Sequence, residues 1–233
     1  MKLSEANEPL RIFDEVMQGG LGTGNIGVLM SRHGMGKVGV LTAIAIDHAL
    51  AGNSVLHVAV GKTVSDIRAY HDAVLDAFVS KIDVDERAGI VTKVERNKQI
   101  HAYRDGAFTV KRLEETLDML AEHADFRPVL LDISGWPDFQ TLQREELQEL
   151  KRVAKEYKAE IWITAHTFRK GHPVNERGVP DYVSRFDDLL SVMIVLQAED
   201  RQVNIRFAKT HDADPPDEIQ LEFDPKTQLI KRR

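Results

Sequence analysis

Residues 26–52 read IGVLMSRHGMGKVGVLTAIAIDHALAG, and they carry the clearest structural pattern in the chain. The apolar run at 26–30 predicts a strand, and the mostly apolar residues 37–51 predict a buried helix that ends at Gly52. The turn between them has the spacing of the phosphate-binding motif G-x-x-x-x-G-K-[ST]. A strand, a glycine-rich turn and a helix in this order form an anion site, because the first amides of the helix have no partner within it.

The predicted phosphate-binding loop, residues 31–38 and called the phosphate loop below, departs from the motif at two positions. Gly36 and Lys37 are retained, whereas Ser31 replaces the first glycine and Val38 replaces the hydroxyl residue that binds Mg²⁺. Valine offers no oxygen to a hard cation, so we predict phosphate binding without the usual magnesium ligand. The predicted phosphate-binding residues are those of the whole loop: Ser31, Arg32, His33, Gly34, Met35, Gly36, Lys37 and Val38.

Two other interpretations of the loop remain open. Residues 34–39 also match G-x-G-x-x-G, the dinucleotide-binding fingerprint. The next predicted strand is followed by Gly61 and Lys62 rather than by an acid that would bind a ribose hydroxyl, although Lys62 could meet a 2′-phosphate. An NADP-binding Rossmann-like protein is therefore a minor alternative. The other alternative is a structural turn that binds nothing.

The composition is that of a globular protein. The chain has 233 residues, of which 42% are hydrophobic and 29% charged, and its net charge of -6 does not point to nucleic acid. It has no cysteine, which excludes disulfides and thiol catalysis, and the spacing of its histidines predicts no metal site. No apolar leader or run of about 18 apolar residues is present, so we expect a cytoplasmic protein without membrane contact.

Apolar runs alternate with helical patterns along most of the chain, which predicts an α/β protein with a mainly parallel sheet. Three further core strands are expected at 54–60, 128–133 and 160–165, and helices at 63–80, 110–123 and 140–157. We interpret residues 83–106 as polar loop with one short strand at 90–94. The last four predicted strands, at 189–197, 203–209, 218–223 and 228–231, follow one another closely as an antiparallel meander.

Residues 19–52 resemble the RecA-like P-loop ATPase superfamily, and most of all its DnaB-type helicases and KaiC-like ATPases. The similarity continues in order over residues 11–230. The resemblance implies one RecA-like three-layer domain over 1–233, with a short extension at 1–10, helices on both faces of the sheet and a C-terminal antiparallel hairpin extension. On this alignment Asp132 is similar to the Walker B acid that holds Mg²⁺ through water, and His166 falls at the polar sensor position.

The departures from this family fall on catalytic positions. Gly61 stands where the family has its general-base glutamate, which glycine cannot replace. Lys209 and His211 lie where the family often has a Lys-x-Arg pair that reaches into a neighbouring subunit, so they are the intersubunit candidates. Asp66 is the nearby acid that could substitute for the missing base.

On the same resemblance, the loop at 166–183 is similar in position to helicase loops that touch single-stranded nucleic acid. Its basic residues Arg169, Lys170 and Arg177 are the nucleic-acid candidates, and Phe168 could stack on a base. The loop also holds Glu176 and Asp181, and the chain is acidic overall, so a solvated loop is the favoured interpretation.

The resemblance therefore predicts a degenerate family member that binds ATP, ADP or another phosphate ligand and hydrolyses it weakly or not at all. Its role would be regulatory or in assembly, and a homo-oligomer is implied because family members form rings. One alternative is an active ATPase that acts on DNA or a protein partner with Asp66 and Asp132 as its carboxylates. The other is an interaction module whose loop is a relic.

Overall fold

The computed structural model describes residues 13, 16–17, 19–168, 173–199, 202–211, 213, 221–226 and 229–232. Its centre is a nine-stranded mixed sheet with the order β3-β2-β4-β5-β1-β6-β7-β8-β9. The strands are β1 Ile26–Ser31, β2 Val55–Val60, β3 Lys98–Tyr103, β4 Leu130–Ser134, β5 Glu160–His166, β6 Val192–Glu199, β7 Gln202–Thr210, β8 Leu221–Asp224 and β9 Leu229–Arg232.

Along the sheet, the first six strands pair in parallel, in the order β3, β2, β4, β5, β1 and β6. The strands from β6 to β9 pair as an antiparallel meander. This confirms the predicted α/β class and the mainly parallel sheet. β1 lies between β5 and β6, and all six of its residues are buried. Such burial on both faces explains why its sequence is a continuous apolar run rather than an alternating one.

The helices that the structure bounds are α1 Lys37–Ala51, α2 Val64–Val79, α3 Val84–Asn97, α4 Val110–His123, α5 Arg144–Glu156 and the short α6 Asp181–Ser184. One apolar core lies between the sheet and α1 to α3, where Leu41, Val74 and Val94 are buried. The other lies on the opposite face under α4 and α5, around Leu113 and Leu147. Helices therefore cover both faces, as predicted.

The prediction for residues 83–106 was wrong. Instead of a loop with a strand at 90–94, the chain forms α3 followed by the edge strand β3. Ile90 and Val94 are spaced four residues apart and are both buried, which places them on one face of a helix packed against α1. The strand escaped detection because KQIHAY is polar and, in the part of the chain that the structure describes, pairs on one side only, with β2.

The sheet brings the carboxyl ends of β4, β5 and β1 next to one another. Close packing between β1 and β5 depends on Gly27, since a Cβ there would lie 2.5 Å from the ring of Trp162. The loops that follow these three strands are thus held together at one edge of the sheet, where open α/β sheets usually bind ligands.

Candidate functional site

The phosphate loop connects the last residue of β1, Ser31, to the first residue of α1, Lys37. Gly34 and Gly36 both have positive φ angles, 76° and 84°, which favour glycine. The start of α1 has no side-chain cap and no acid in its first turn. Its free amides and the positive end of the helix dipole therefore favour an anion at this point.

Lys37 lies under the loop and binds the loop's own oxygens. Its Nζ donates to the carbonyl of Ser31 at 2.9 Å, to the Ser31 hydroxyl at 3.0 Å and to the carbonyl of Arg32 at 3.1 Å. Burial lowers the pKa of Lys37 to about 8. The ammonium therefore lacks a negative partner within these contacts, and an incoming phosphate would supply one.

Two histidines stand beside this lysine. Nδ1 of His166, at the end of β5, is 3.4 Å from Lys37 Nζ, and the rings of His166 and His33 stack with centroids 5.7 Å apart. Partial burial lowers the pKa of His166, and the positive charges of Lys37 and His33 lower it further. If Nδ1 accepts from Lys37, the proton of the neutral ring is on Nε2, which is then a donor for a ligand.

An open pocket of about 470 Å³ begins at these two histidines. It is lined by residues from the carboxyl end of β5, from the loops after β1, β4 and β5, and from α6: His33, Gly135, Pro137, Asp138, Phe139, Gln140, Thr164, His166, Thr167, Phe168 and Tyr182. The Tyr182 hydroxyl donates to the carbonyl of His166 at 2.8 Å, which fixes one wall. This volume lies in the range of roughly 300–1,000 Å³ that is typical of small-molecule sites.

Asp132, the predicted Walker B acid, is fully buried on β4. Within the described residues neither of its carboxylate oxygens has a hydrogen-bond partner. Burial, and then the negative charge of Glu160, raise the pKa of Asp132 well above its usual value. Burial therefore favours the protonated form of this carboxyl, which lies out of reach of solvent in this conformation.

Asp66, the predicted substitute base, is part of the N-terminal cap of α2. Its Oδ2 accepts hydrogen bonds from the backbone amide and the hydroxyl of Thr63, and the amide of Asp66 donates to Thr63 in return. These hydrogen bonds lower the pKa of Asp66. Its carboxylate thus has a structural partner, which accounts for an acid at this position.

Gly61, which the resemblance aligns with a general base, follows β2 with a φ of 72°. A Cβ built on Gly61 would lie 3.8 Å from the Cβ of Asp105 and 3.9 Å from its Oδ1. The sequence pattern gave no sign of this neighbour, because Asp105 lies in a turn after the unpredicted strand β3. The structure therefore places a carboxylate beside the glycine.

The intersubunit candidates make contacts within their own chain. Lys209 Nζ donates to the carbonyl of Asp187 at 2.6 Å and to its carboxylate at 3.1 Å. A ring nitrogen of His211 lies 3.0 Å from the carbonyl oxygen of Gly20. Both side chains thus contribute to the fold of this chain, whatever they contact in an assembly.

Of the nucleic-acid candidates, Arg169 and Lys170 lie outside the described residues. Arg177 is described, and it forms an ion pair with the carboxylate of Asp187. Arg177, one of the basic residues predicted to contact nucleic acid, therefore already has an acidic partner within the chain.

Sequence reasoning missed several pocket residues, among them Asp138, Thr164 and Tyr182. Thr164 near the carboxyl end of β5 and Asp138 after β4 could have been found from the rule that ligands bind beyond the carboxyl ends of parallel strands. Tyr182 carried no such signal, because it reaches the pocket from a short helix in a long connection.

Sequence reasoning also missed a row of buried polar side chains between α2 and the sheet. His57 of β2 lies 3.1 Å from the Ser134 hydroxyl on one side and 3.2 Å from His71 of α2 on the other. Burial lowers the pKa of His57 to about 3. Burial also lowers the pKa of His71 to about 2, and repulsion between the protonated forms of the two rings and from Lys98 and Arg68 adds to this shift. Both rings are therefore neutral at physiological pH.

Among the residues that the structure describes, no group of three or more acidic or histidine side chains could hold a metal ion. The same part of the chain has no helix long and apolar enough to cross a membrane. No protein-family model matches this chain, and no curated protein is significantly similar to it. Its function must be argued from the site itself.

Proposed function

We propose that this protein binds a nucleotide or another phosphate-bearing ligand at residues 31–38 without needing Mg²⁺, and that it turns the ligand over slowly or not at all. Its role would be regulatory or in assembly. The observation that carries the proposal is the buried Lys37, whose ammonium, within the described residues, meets neutral oxygens and a histidine nitrogen beside free helix amides. An anion there would be stabilised by both.

The RecA-like interpretation is part of this proposal. It is supported by the parallel strand order β3-β2-β4-β5-β1-β6, by the antiparallel meander after it and by the position of the loop between β1 and α1. The loss of catalysis is supported by Val38 and Gly61, which have neither a metal-binding oxygen nor a basic group. Loss of a general base alone typically lowers a rate by about 10²–10⁴-fold.

Titration calorimetry with ATP, ADP and pyrophosphate, each with Mg²⁺ and with EDTA, tests the proposal. We expect binding in both conditions, and loss of binding in Lys37→Ala. Lys93→Ala, which removes a lysine of α3, is the matched control and should leave affinity unchanged. Failure of every one of these ligands to bind would contradict the proposal.

A second candidate function, ATP hydrolysis with a displaced base, is favoured by the carboxylate of Asp105 beside Gly61. A phosphate-release assay separates it from the first. Under the first function the wild type and Lys37→Ala give the same background rate. Under the second, the wild type exceeds background and Asp105→Asn abolishes the excess, while Asp66→Asn tests the sequence-based alternative.

A further inference from the structure

The phosphate loop begins with a serine that binds the lysine of the same loop. Ser31 stands where the phosphate-binding motif has its first glycine, and it is fully buried at the end of β1. Its hydroxyl accepts a hydrogen bond from Lys37 Nζ at 3.0 Å and donates one to the carbonyl of Arg32 at 2.9 Å. That carbonyl also accepts from Lys37 Nζ, at 3.1 Å. The three groups therefore form a closed ring of hydrogen bonds, which a glycine at position 31 could not complete.

The contacts of Lys37 match the full donor capacity of its ammonium. An ammonium has three N–H donors, and three loop oxygens accept from Nζ: the carbonyl of Ser31 at 2.9 Å, the Ser31 hydroxyl and the carbonyl of Arg32. Nδ1 of His166, at 3.4 Å, is a further neighbour. A phosphate that reaches the ammonium therefore has to displace a partner. The two carbonyls are held by the backbone of the loop, whereas the hydroxyl can leave by rotation about one side-chain bond.

We propose that the Ser31 hydroxyl is a latch: it holds Lys37 in a closed form of the loop and has to release the ammonium before an anion binds there. An anionic oxygen can displace it, because such an oxygen attracts an ammonium more strongly than a neutral hydroxyl does. In the closed form water does not compete for the ammonium, since Ser31 and Lys37 are only 0% and 8% exposed. This inference rests on the proposed function for the nature of the ligand, and it adds that the loop inhibits its own binding site.

The affinity for pyrophosphate, measured by titration calorimetry in EDTA, tests the latch. Ser31→Ala removes the hydroxyl and keeps the Cβ, and Ser31→Gly restores the residue of the motif. Each variant should bind pyrophosphate about tenfold more tightly than the wild type, because the ligand no longer displaces a hydrogen bond to a charged group. A role in supporting the shape of the loop would instead make both variants bind more weakly.

Ser134→Ala is the matched control. Ser134 is also a buried serine at the end of a parallel strand, β4, but its hydroxyl lies 3.1 Å from a ring nitrogen of His57 and not beside the lysine. The same substitution at this position should leave the affinity for pyrophosphate unchanged.

A second measurement needs no ligand. Acylation of the full-length protein with an N-hydroxysuccinimide ester, followed by peptide mass spectrometry, reports how often the buried Lys37 becomes accessible. Lys93, which is exposed on α3, is the internal standard. Relative to Lys93, the acylation rate of Lys37 should rise by a similar factor of about ten in Ser31→Ala and Ser31→Gly. It should not rise in Ser134→Ala.

The outcomes separate this inference from the proposed function. If pyrophosphate binds the wild type and binds the two Ser31 variants equally or more weakly, or if their Lys37 acylation rate is unchanged, the latch is overturned and the proposed function stands. If acylation of Lys37 accelerates in both variants but pyrophosphate binds to none of the proteins, the latch holds Lys37 and the proposed function fails. If acylation is unchanged and pyrophosphate does not bind, both are overturned.

Discussion

The ring of Phe223 on β8 occupies the space that a side chain on Gly36 would need. A Cβ on Gly36 would lie 2.5 Å from one ring carbon and 2.9 Å from another, whereas a Cβ on Gly34 would meet nothing within 4 Å. Phe223 is fully buried. The phosphate loop is thus packed directly against the antiparallel meander. A side chain at Gly36 would overlap Phe223, whereas a side chain at Gly34 would have open space.

This difference gives a matched pair of substitutions. Gly34→Ala should cost about 1 kcal/mol of unfolding free energy from its positive φ alone. Gly36→Ala has a similar φ and adds the overlap with Phe223, so we expect a further loss of about 1–3 kcal/mol and weaker phosphate binding. Urea denaturation and calorimetry measure both effects.

Phe223→Leu tests whether overlap with this ring causes the extra loss of stability in Gly36→Ala. In the Gly36→Ala background, the smaller side chain should recover part of the lost stability, which appears as a coupling energy in a double-mutant cycle. Equal losses for Gly34→Ala and Gly36→Ala would show that the overlap has no energetic effect.

Phosphate affinity should depend on pH through Lys37. Burial lowers the pKa of Lys37 to about 8, so the free protein loses the ammonium as pH rises above that value. The bound phosphate requires the charged form, and affinity should therefore fall by up to about tenfold for each pH unit above 8. Lys37→Arg, which stays charged, should bind with a flat profile from pH 7 to 9.5 if it binds at all. A flat wild-type profile would contradict this role.

Removal of Mg²⁺ should leave nucleotide affinity unchanged in the wild type, because Val38 has no oxygen for the metal. Val38→Thr restores a hydroxyl with nearly the same shape. We expect this variant to bind ATP more tightly with Mg²⁺ than with EDTA, by a few-fold or more. Val38→Ala is the control for loss of volume, and it should show no metal effect.

Asp132 should lower the stability of the protein at neutral pH. The unfolded chain ionises this carboxyl near pH 4, whereas burial and Glu160 keep it protonated in the fold. The free energy of unfolding therefore falls as pH rises from about 4 through the raised pKa of the folded state. Asp132→Asn has no proton to lose, so it should exceed the wild type in stability at pH 8 and approach it toward pH 4. Asp72→Asn, an exposed carboxylate on α2, should show no such pH-dependent gain.

The neutral histidines His57 and His71 should give the free energy of unfolding a pH dependence opposite to that from Asp132. The unfolded chain protonates them below about pH 6.5, but burial prevents this in the fold until about pH 3 and about pH 2. Stability should therefore fall as pH drops below 6.5. In His71→Leu the acid-side slope of a urea-denaturation series should become shallower, and an unchanged slope would show that this ring does not contribute.

The parallel core was predictable because strands such as β1 are buried on both faces and their sequences are continuously apolar. The boundaries of α1 and α4 were also predicted, the first because Gly52 marks its end and the second from its amphipathic pattern. Edge strand β3 was missed because a polar strand with one neighbour has little pattern of its own. The aromatic and acidic walls of the pocket come from connections whose paths depend on tertiary packing, which local periodicity does not encode.

The contact between Gly36 and Phe223 also has a consequence for the order of folding in the cell. A chain emerges from the ribosome N-terminus first, so the phosphate loop is synthesised long before the aromatic ring that supports it. Until β8 has emerged and paired with β7, the nascent loop lacks one of its packing partners. Under the proposed function, the loop would therefore reach its ligand-binding geometry after the meander has been translated.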